Sequence, residues 1–392
     1  MKRLAQFRTD MILLVLSNTL WPLGYSAYIG FFPLYIEQLG GSKLTISIIS
    51  SIPFFMGLLA VVGGYLADRM DRKLILLFGW AITIPAPLIW FFADNWYLLL
   101  AGQVIYALTA VCIPAFTLYV FEYDIPGNKM IPYSIANVGG IAGSILAPSL
   151  GAKIIALYDI KILFLTVFFI YFLSTLCVLF VSGQKPQKTE KPDKGFNIVN
   201  TVKEIRGNKT LSVMIYLSLL LFCMNISEPY ISLYLSDYLT MPVNMIGRTF
   251  TFIFLGASLL TYIYGKFSAK TNPHHVVLTG VVIFLLSLVT VTCFSSIYAI
   301  YAGFFCRGIN RALLFFVQGV LVTKLNTKNK GLVLSLFVSM RNIAVGLAAY
   351  PGAFLYNITP VAPFIAEGLL MVLWVLISFS HQFAGFKDKP EL

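Results

Sequence analysis

The sequence predicts an all-helical integral membrane protein with twelve transmembrane helices in two six-helix pseudo-repeats. Three observations support this fold class: the composition, the sidedness of the basic residues, and a repeat between the two halves of the chain. Of the 392 residues, 58% are hydrophobic and only 11% are charged, whereas soluble domains carry about 25% charged residues. A water-soluble fold could not bury so much apolar surface, so lipid must be the solvent for most of the chain.

The apolar runs predict helices rather than membrane β-strands, because they are long and lack a period-2 alternation. Each run approaches the roughly 20 residues that cross the hydrocarbon core, and a helix pairs its backbone groups internally. The first run is interpreted as a retained span, because no small-residue cleavage site interrupts it. The predicted spans cover residues 11–37, 44–67, 74–93, 96–122, 132–157, 160–183, 211–237, 244–267, 275–295, 297–323, 331–356 and 360–383.

The basic residues lie mostly on one set of alternate loops. The loops of the other set hold only four of them: Lys43, Lys153, Lys161 and Arg248. Positive charge marks the cytoplasmic side, so we expect a multi-pass protein of the cell membrane with both termini in the cytoplasm. The net charge of +12 is therefore a topology signal and requires no nucleic-acid partner.

The two halves of the chain repeat each other. A shift of 201 positions places Ser26 on Ser227 and Gly151 on Gly352, and matches continue from the first span to the eleventh. The one long polar stretch lies between the halves. The predicted domains are an N-terminal six-helix bundle (1–183), a cytoplasmic linker with a candidate amphipathic helix (184–210), and a C-terminal six-helix bundle (211–392). Parallel repeats of this kind are typical of transporters.

Residues 64–73 read GYLADRMDRK, in the loop between spans 2 and 3. The stretch resembles the signature G-x-L-A-D-R-x-G-R-K of the major facilitator superfamily, except that Asp71 replaces a glycine. The resemblance covers essentially the whole chain. It implies a cytoplasmic latch that favours the outward-open state, although the same charges could simply anchor a loop. The implied latch residues are Gly64, Asp68, Arg69, Arg72 and Lys73, with Glu122 and Asp124 at the inner end of span 4.

Two weaker family patterns bear on direction and coupling. Residues 143–152 of span 5 resemble the G-x-x-x-G-P-x-x-G-G pattern of exporters, with alanine at two of the glycine positions. Many proton-coupled members carry an arginine in span 4, four residues before a glycine. Gln103 and Ala107 stand at these positions here, so proton transfer assisted by an arginine of span 4 is not expected.

Ionisable groups inside a span are candidates for function because their insertion is costly. Glu228 lies in span 7, and Arg307 and Arg311 share one face of span 10. We hypothesise that Glu228 carries a proton, while Arg307 or Arg311 holds an anionic substrate or modulates Glu228. The alternative is that Glu228 only neutralises an arginine. Arg341 and Glu367 are further intramembrane charges in spans 11 and 12, which can face away from a cavity.

The resemblance also implies that spans 1, 4, 7 and 10 line a central cavity. The first half supplies aromatic rings for it, which could stack on a sugar or an amphipathic compound. Together with Arg307 and Arg311, the predicted cavity residues are Tyr25, Tyr28, Gln103, Tyr106, Asn225 and Gln318.

These observations predict a secondary active transporter that works by alternating access, is coupled to protons and has a slight preference for efflux of a drug or metabolite. The alternative is proton-coupled uptake of an organic anion or sugar, favoured by the arginines and rings. A remote alternative, an integral-membrane transferase, would need a polar cluster at one membrane face. No GxxxxGK[ST] loop is present, so we expect an ion gradient as the driving force. No enzymatic activity, cofactor or metal is expected, and the partners are a small-molecule substrate, protons and the bilayer, with the chain a monomer.

Overall fold

In the computed structural model, the described residues fall into twelve helical segments that follow one another in the order that the sequence predicts. The structure describes residues 2–121, 130–184, 210–268, 271–324 and 330–380. Spans 1 to 6 comprise Lys2–Tyr28 with Phe32–Gln38, Lys43–Met56 with Gly57–Leu59 and Ala60–Ala67, Arg72–Thr83 with Pro85–Phe91, Trp96–Ala107 with Leu108–Cys112 and Ile113–Phe121, Met130–Leu157, and Ile160–Leu179. Spans 7 to 12 comprise Thr210–Cys223 with Glu228–Tyr230, Ile231–Leu233 and Tyr234–Tyr238, then Val243–Ser268, Pro273–Cys293, Ile297–Arg307 with Ile309–Lys324, Lys330–Ile358, and Ala362–Ser380.

The described helices have the length and apolarity of membrane spans. Nine of them could cross a bilayer, and span 1 makes a tenth crossing if its two parts, which bend by 44°, are taken together. Span 12 contributes a shorter apolar helix, Ala362–Ser378. Span 10 is interrupted at Gly308 and carries the two arginines. The predicted fold class, an all-helical membrane protein, is confirmed.

The helices group into two compact units. One contains Met1–Glu190 with Met241–Thr251, and the other contains Lys191–Thr240 with Phe252–Leu392. The first turns of span 8 therefore group with the first unit, although the sequence places them in the second half. The predicted domain boundaries at residues 183 and 211 remain a prediction.

The helix boundaries of the two halves match with the same offset as the sequence repeat. Spans 4 and 10 begin at Trp96 and Ile297, which are 201 positions apart. Spans 5 and 11 end at Leu157 and Ile358 with the same separation. The interruptions also correspond, since the first helix of span 4 ends at Ala107 and that of span 10 is broken at the matching Gly308.

Two matched glycines show why the packing repeats as well. A Cβ at Gly151 would lie 2.1 Å from the carbonyl oxygen of Ala27 in span 1. A Cβ at Gly352 would lie 2.2 Å from the carbonyl oxygen of Ile226 in span 7. Only glycine lets the two backbones approach this closely. In each unit, a long helix thus presses against an interrupted helix.

Candidate functional site

Span 7 is interrupted near the middle of its length. The helix that ends at Cys223 is followed by turns over residues 224–227 and a 3₁₀ turn that begins at Glu228. Pro229 has no N–H to donate to a helix. A broken helix inside a membrane is stable only if other groups bind the released backbone atoms. The side chain that meets this requirement comes from span 12.

Glu367 binds the interrupted turn and a buried arginine at the same time. Its Oε1 accepts from the N–H of Ser227 at 2.8 Å and from Arg307 Nη2 at 3.2 Å. Its Oε2 accepts from Ser227 Oγ at 2.9 Å and from Arg307 Nη1 at 3.1 Å. Arg307 Nη2 also donates to Ser227 Oγ at 2.6 Å. The side chains of Arg307 and Glu367 are 2% and 0% exposed, so this pair is bidentate and fully enclosed.

Glu228 is a second carboxylate beside the same arginine, and it is accessible. Its Oε2 lies 3.5 Å from Arg307 Nε, and its Oε1 lies 3.8 Å from Arg311 Nη2. The side chains of Glu228 and Arg311 are 30% and 37% exposed. The guanidinium of Arg311 also lies 4.2 Å from the ring centroid of Phe254, within cation–π range. Two carboxylates and two guanidiniums therefore sum to no net charge when all four are ionised.

Asn310 belongs to the same cluster, and the sequence analysis missed it. Its Nδ2 donates to Asn225 Oδ1 at 3.1 Å and to the carbonyl oxygen of Met224 at 3.4 Å. Its Oδ1 is buried and has no hydrogen-bond partner in the described structure. Asn310 thus binds part of the span 7 interruption, as Glu367 does. An uncharged polar residue directly before Arg311 was the available signal.

A break in span 10 sets the direction of these side chains. A Cβ at Gly308 would lie 2.2 Å from the backbone nitrogen of Ala257 in span 8. Span 10 can therefore pack on span 8 only with a glycine at this position. Arg307 ends the helix before the break, and Arg311 lies in the first turns after it. Both arginines lie beside Glu228 in the structure.

The predicted aromatic residues of the first unit form a stack. The ring centroids of Trp21 and Tyr106 are 5.8 Å apart, and those of Tyr25 and Tyr106 are 5.7 Å apart, with interplanar angles of 8° and 9°. Tyr28 is completely buried and meets Tyr106 edge-on. Gln103 is also buried, and its Oε1 has no hydrogen-bond partner in the described structure. Tyr106 occupies the position that corresponds to Arg307 in the repeat, so an aromatic side chain in the first unit matches a charged side chain in the second.

The remaining predicted intramembrane residues lie apart from these clusters or outside the described structure. Arg341 donates to its neighbour Asn342, through Nε at 3.2 Å and Nη2 at 2.8 Å. Gln318 lies in the helix that ends at Lys324, but its side chain is outside the described residues. Within the described part of the chain, no group of three His, Cys, Asp or Glu side chains could hold a metal ion.

The loop with the signature residues 64–73 has an internal role in the first unit. Asp71 caps the helix Arg72–Thr83: its Oδ1 accepts from the N–H of Lys73 at 2.9 Å and from that of Gln184 at 3.0 Å. The buried Arg72 reaches the carbonyl oxygen of Ala67 and the side chain of Gln184, both at 3.4 Å. Asp71, which departs from the family pattern, therefore holds the chain just after span 6.

Two of the other latch residues are exposed, and two lie outside the described part of the chain. Asp68 and Arg69 are exposed, and Arg69 lies over the ring of Tyr65 at 3.5 Å from its centroid. The predicted latch partners Glu122 and Asp124 lie outside the described residues. The latch itself stays a prediction.

Two repeated units, interrupted helices and a charged cluster at one interruption together define a membrane transport protein of the two-repeat class. The family model of the Major Facilitator Superfamily matches residues 14–239 and 219–390. The chain belongs to this family, and the resemblance inferred from residues 64–73 is confirmed.

Similar curated proteins carry names of multidrug transporters. The chain is 25% identical over 319 residues to "Multi-drug resistance efflux pump PmrA homolog" of Lactococcus lactis subsp. lactis (strain IL1403), covering 77% of this chain and 75% of the relative. It is 22% identical over 346 residues to "Multidrug resistance protein MdtG" of Proteus mirabilis (strain HI4320), covering 84% of this chain and 85% of the relative.

Solved structures share the fold at low sequence identity. A variant of the nucleoside transporter NupG matches with a TM-score of 0.82 and 11% identity, over 97% of this chain and 100% of that chain. The human organic anion transporter MFSD10 matches with a TM-score of 0.66 and 15% identity, over 94% of this chain and 99% of that chain. The protein is thus a multi-pass membrane transporter with a well-known fold.

Proposed function

We propose that the protein is a secondary active transporter that works by alternating access and is coupled to protons, with Glu228 as the group that carries the proton. The observation that supports this role is the contrast between two carboxylates on one arginine. Glu367 is 0% exposed and saturated with hydrogen bonds, whereas Glu228 is 30% exposed at 3.5 and 3.8 Å from two guanidiniums. Glu228 can therefore meet water and substrate, and its proton affinity depends on what neighbours its two arginines.

Export of a drug or metabolite is the first candidate for the direction of transport. Relatives named as efflux pump and multidrug resistance proteins support it, as does the exporter-like pattern in span 5. For an exporter driven by protons, substrate and proton must exclude each other at the site. Substrate affinity then falls as the pH is lowered.

Proton-coupled uptake of an organic anion is the second candidate, and Arg311 is the observation that favours it. The guanidinium has five donors, yet its only ion-pair partner among the described residues is Glu228, at 3.8 Å. Protonation of Glu228 would leave Arg311 available for a carboxylate or phosphate of the substrate. Anion affinity would then rise as the pH is lowered, so the sign of this dependence separates the two candidates.

The test is transport in proteoliposomes with an imposed pH gradient. The substrate is first found by a thermal-shift screen of metabolites and drugs, since a ligand of the folded state raises the melting temperature. Glu228→Gln, which mimics the protonated carboxyl, should abolish gradient-driven accumulation while binding or passive exchange partly survives. Glu37→Gln is the matched control, because Glu37 is a half-exposed glutamate paired with Lys43 in the first unit. Gradient-driven accumulation by Glu228→Gln at the wild-type level would exclude Glu228 from coupling.

The membrane orientation is part of the proposal. We expect both termini in the cytoplasm, which the sidedness of the basic residues supports. The expected monomer rests on the family resemblance. Tags at residue 190 and at the C-terminus should be inaccessible to an impermeant label added outside intact cells. Labelling of either tag would contradict the proposed topology.

A further inference from the structure

We propose that Glu367 is a positioning residue of the coupling site. It holds the interrupted turn of span 7 and compensates Arg307, so that Glu228 remains the carboxyl group that gains and loses a proton. This inference rests on the proposed function, in which Glu228 carries the coupling proton. The sequence marks Glu367 only as a charge inside span 12 and assigns it no specific role.

The first step of the argument is the saturation of Glu367. Its two oxygens accept four hydrogen bonds, two from Ser227 and two from Arg307. This set of donors satisfies both oxygens of the buried carboxylate. The side chain is 0% exposed, whereas that of Glu228 is 30% exposed. Glu367 is therefore a structural partner of Ser227 and Arg307, and Glu228 is the accessible carboxylate of the site.

The second step is the effect of Glu367 on Arg307. The rings of Phe284 and Phe364 lie 5.0 and 5.5 Å from this guanidinium and keep water away from it. In so enclosed a place, a charge acts strongly on its neighbours. Arg307 Nε is 3.5 Å from Glu228, so an uncompensated Arg307 would hold Glu228 in its ionised form. The bidentate contact with Glu367 offsets that attraction and leaves Glu228 responsive.

The third step is the geometry of span 7. Ser227 is the residue directly before Glu228, and its N–H and hydroxyl both bind Glu367. The turn that presents Glu228 is thus attached to span 12 on one side. On the other side, Gly352 of span 11 packs against the carbonyl oxygen of Ile226. Loss of the Glu367 carboxylate would release one of these two restraints.

The charged and titratable groups around the pair are few in the described structure. Glu367 faces Arg307 of span 10 and the thiol of Cys223 in span 7. Glu228 faces Arg307 and Arg311, both from span 10. Arg341 of span 11 donates to Asn342 and does not belong to this group. In the described structure, the charged neighbours of Glu228 are therefore these two arginines, one of which is paired with Glu367.

The test follows the protonation of carboxyl groups by infrared difference spectroscopy of the purified full-length protein during a pH titration. We expect the wild type to show a titrating carboxylic-acid band that disappears in Glu228→Gln. In Glu367→Gln the band should persist, with its midpoint moved to lower pH, because Arg307 then acts on Glu228 alone. Glu367→Asp keeps the charge and should return the midpoint toward the wild-type value.

A second variant covers the case in which Glu367→Gln does not fold. The double variant Arg307→Met with Glu367→Leu removes both charges, so Glu228 should titrate close to the wild-type midpoint. Three results would overturn the proposal: an unchanged midpoint in folded Glu367→Gln, a displaced midpoint in the double variant, or a band that disappears with Glu367 rather than with Glu228. Because the band is measured without transport, a failure of proton coupling in proteoliposomes remains distinguishable from a failure of this inference.

Discussion

Replacing Glu367 by Leu should destabilise the protein more than any exposed charge substitution. The change leaves Arg307 as a buried cation without its bidentate partner, and breaking a buried ion pair costs about 3–5 kcal/mol. The pair is 2% and 0% exposed, so solvent cannot replace the lost carboxylate. Ser227 loses the acceptor of its N–H and of its hydroxyl, which places the expected cost toward the upper end of this range. At about 1.4 kcal/mol per factor of ten, the ratio of folded to unfolded protein falls more than a hundredfold.

The assay is thermal unfolding of the purified protein in detergent, with two comparisons. The double variant Arg307→Met with Glu367→Leu removes both charges and should recover most of the lost stability, since apolar replacement of a whole buried pair is often neutral or stabilising. Lys43→Met breaks a more exposed pair, whose side chains are 16% and 40% exposed, and should cost only about 0–1 kcal/mol. A Glu367→Leu protein as stable as Lys43→Met, or a double variant no better than the single one, would refute the reasoning.

Two further predictions concern packing and the cytoplasmic loop. Gly151→Leu should sharply reduce the yield of monodisperse protein in size-exclusion chromatography, because its Cβ would lie 2.1 Å from a carbonyl oxygen of span 1. Gly265→Ala is the control and should behave as wild type, because no atom lies within 4 Å of the added carbon. Equal yields would show that the helices can separate at Gly151 without penalty. Asp68→Asn should fold normally but slow transport and shift the resting state away from outward-open, as read from the accessibility of engineered cysteines on the two membrane faces. Unchanged transport and unchanged cysteine accessibility would show that Asp68 serves only to set the membrane topology.

The order and extent of the helices could be predicted because they depend on local composition. Apolar runs of sufficient length require helices in lipid, and the matched residues of the repeat recur at the same places in the structure. The two arginines of span 10 could be placed on one face by their spacing of four. Their expected position near Glu228 came from the family resemblance, which implies that spans 7 and 10 line the same cavity. Pro229 in the sequence indicates a break in the helix of span 7, although the helix already ends at Cys223, before the proline.

The partner of Arg307 could not be predicted, because it depends on which helices pack together. Glu367 is 60 positions from Arg307 and 140 from Ser227, and no local pattern connects residues so far apart. The role of Asp71 could not be predicted for a similar reason. In the sequence it is a departure from a family motif, whereas in the structure it binds the N–H of Gln184 after span 6.

Proton exchange on substrate binding tests the central claim most directly. The purified protein is mixed with its substrate in weakly buffered detergent solution, and the pH is recorded. If Glu228 carries the coupling proton, the wild type releases protons on binding when it is an exporter and takes them up when it transports an anion inward, whereas Glu228→Gln does neither although it still binds substrate. Equal proton exchange by the wild type and Glu228→Gln, or none by the wild type on either side of neutral pH, would contradict the account.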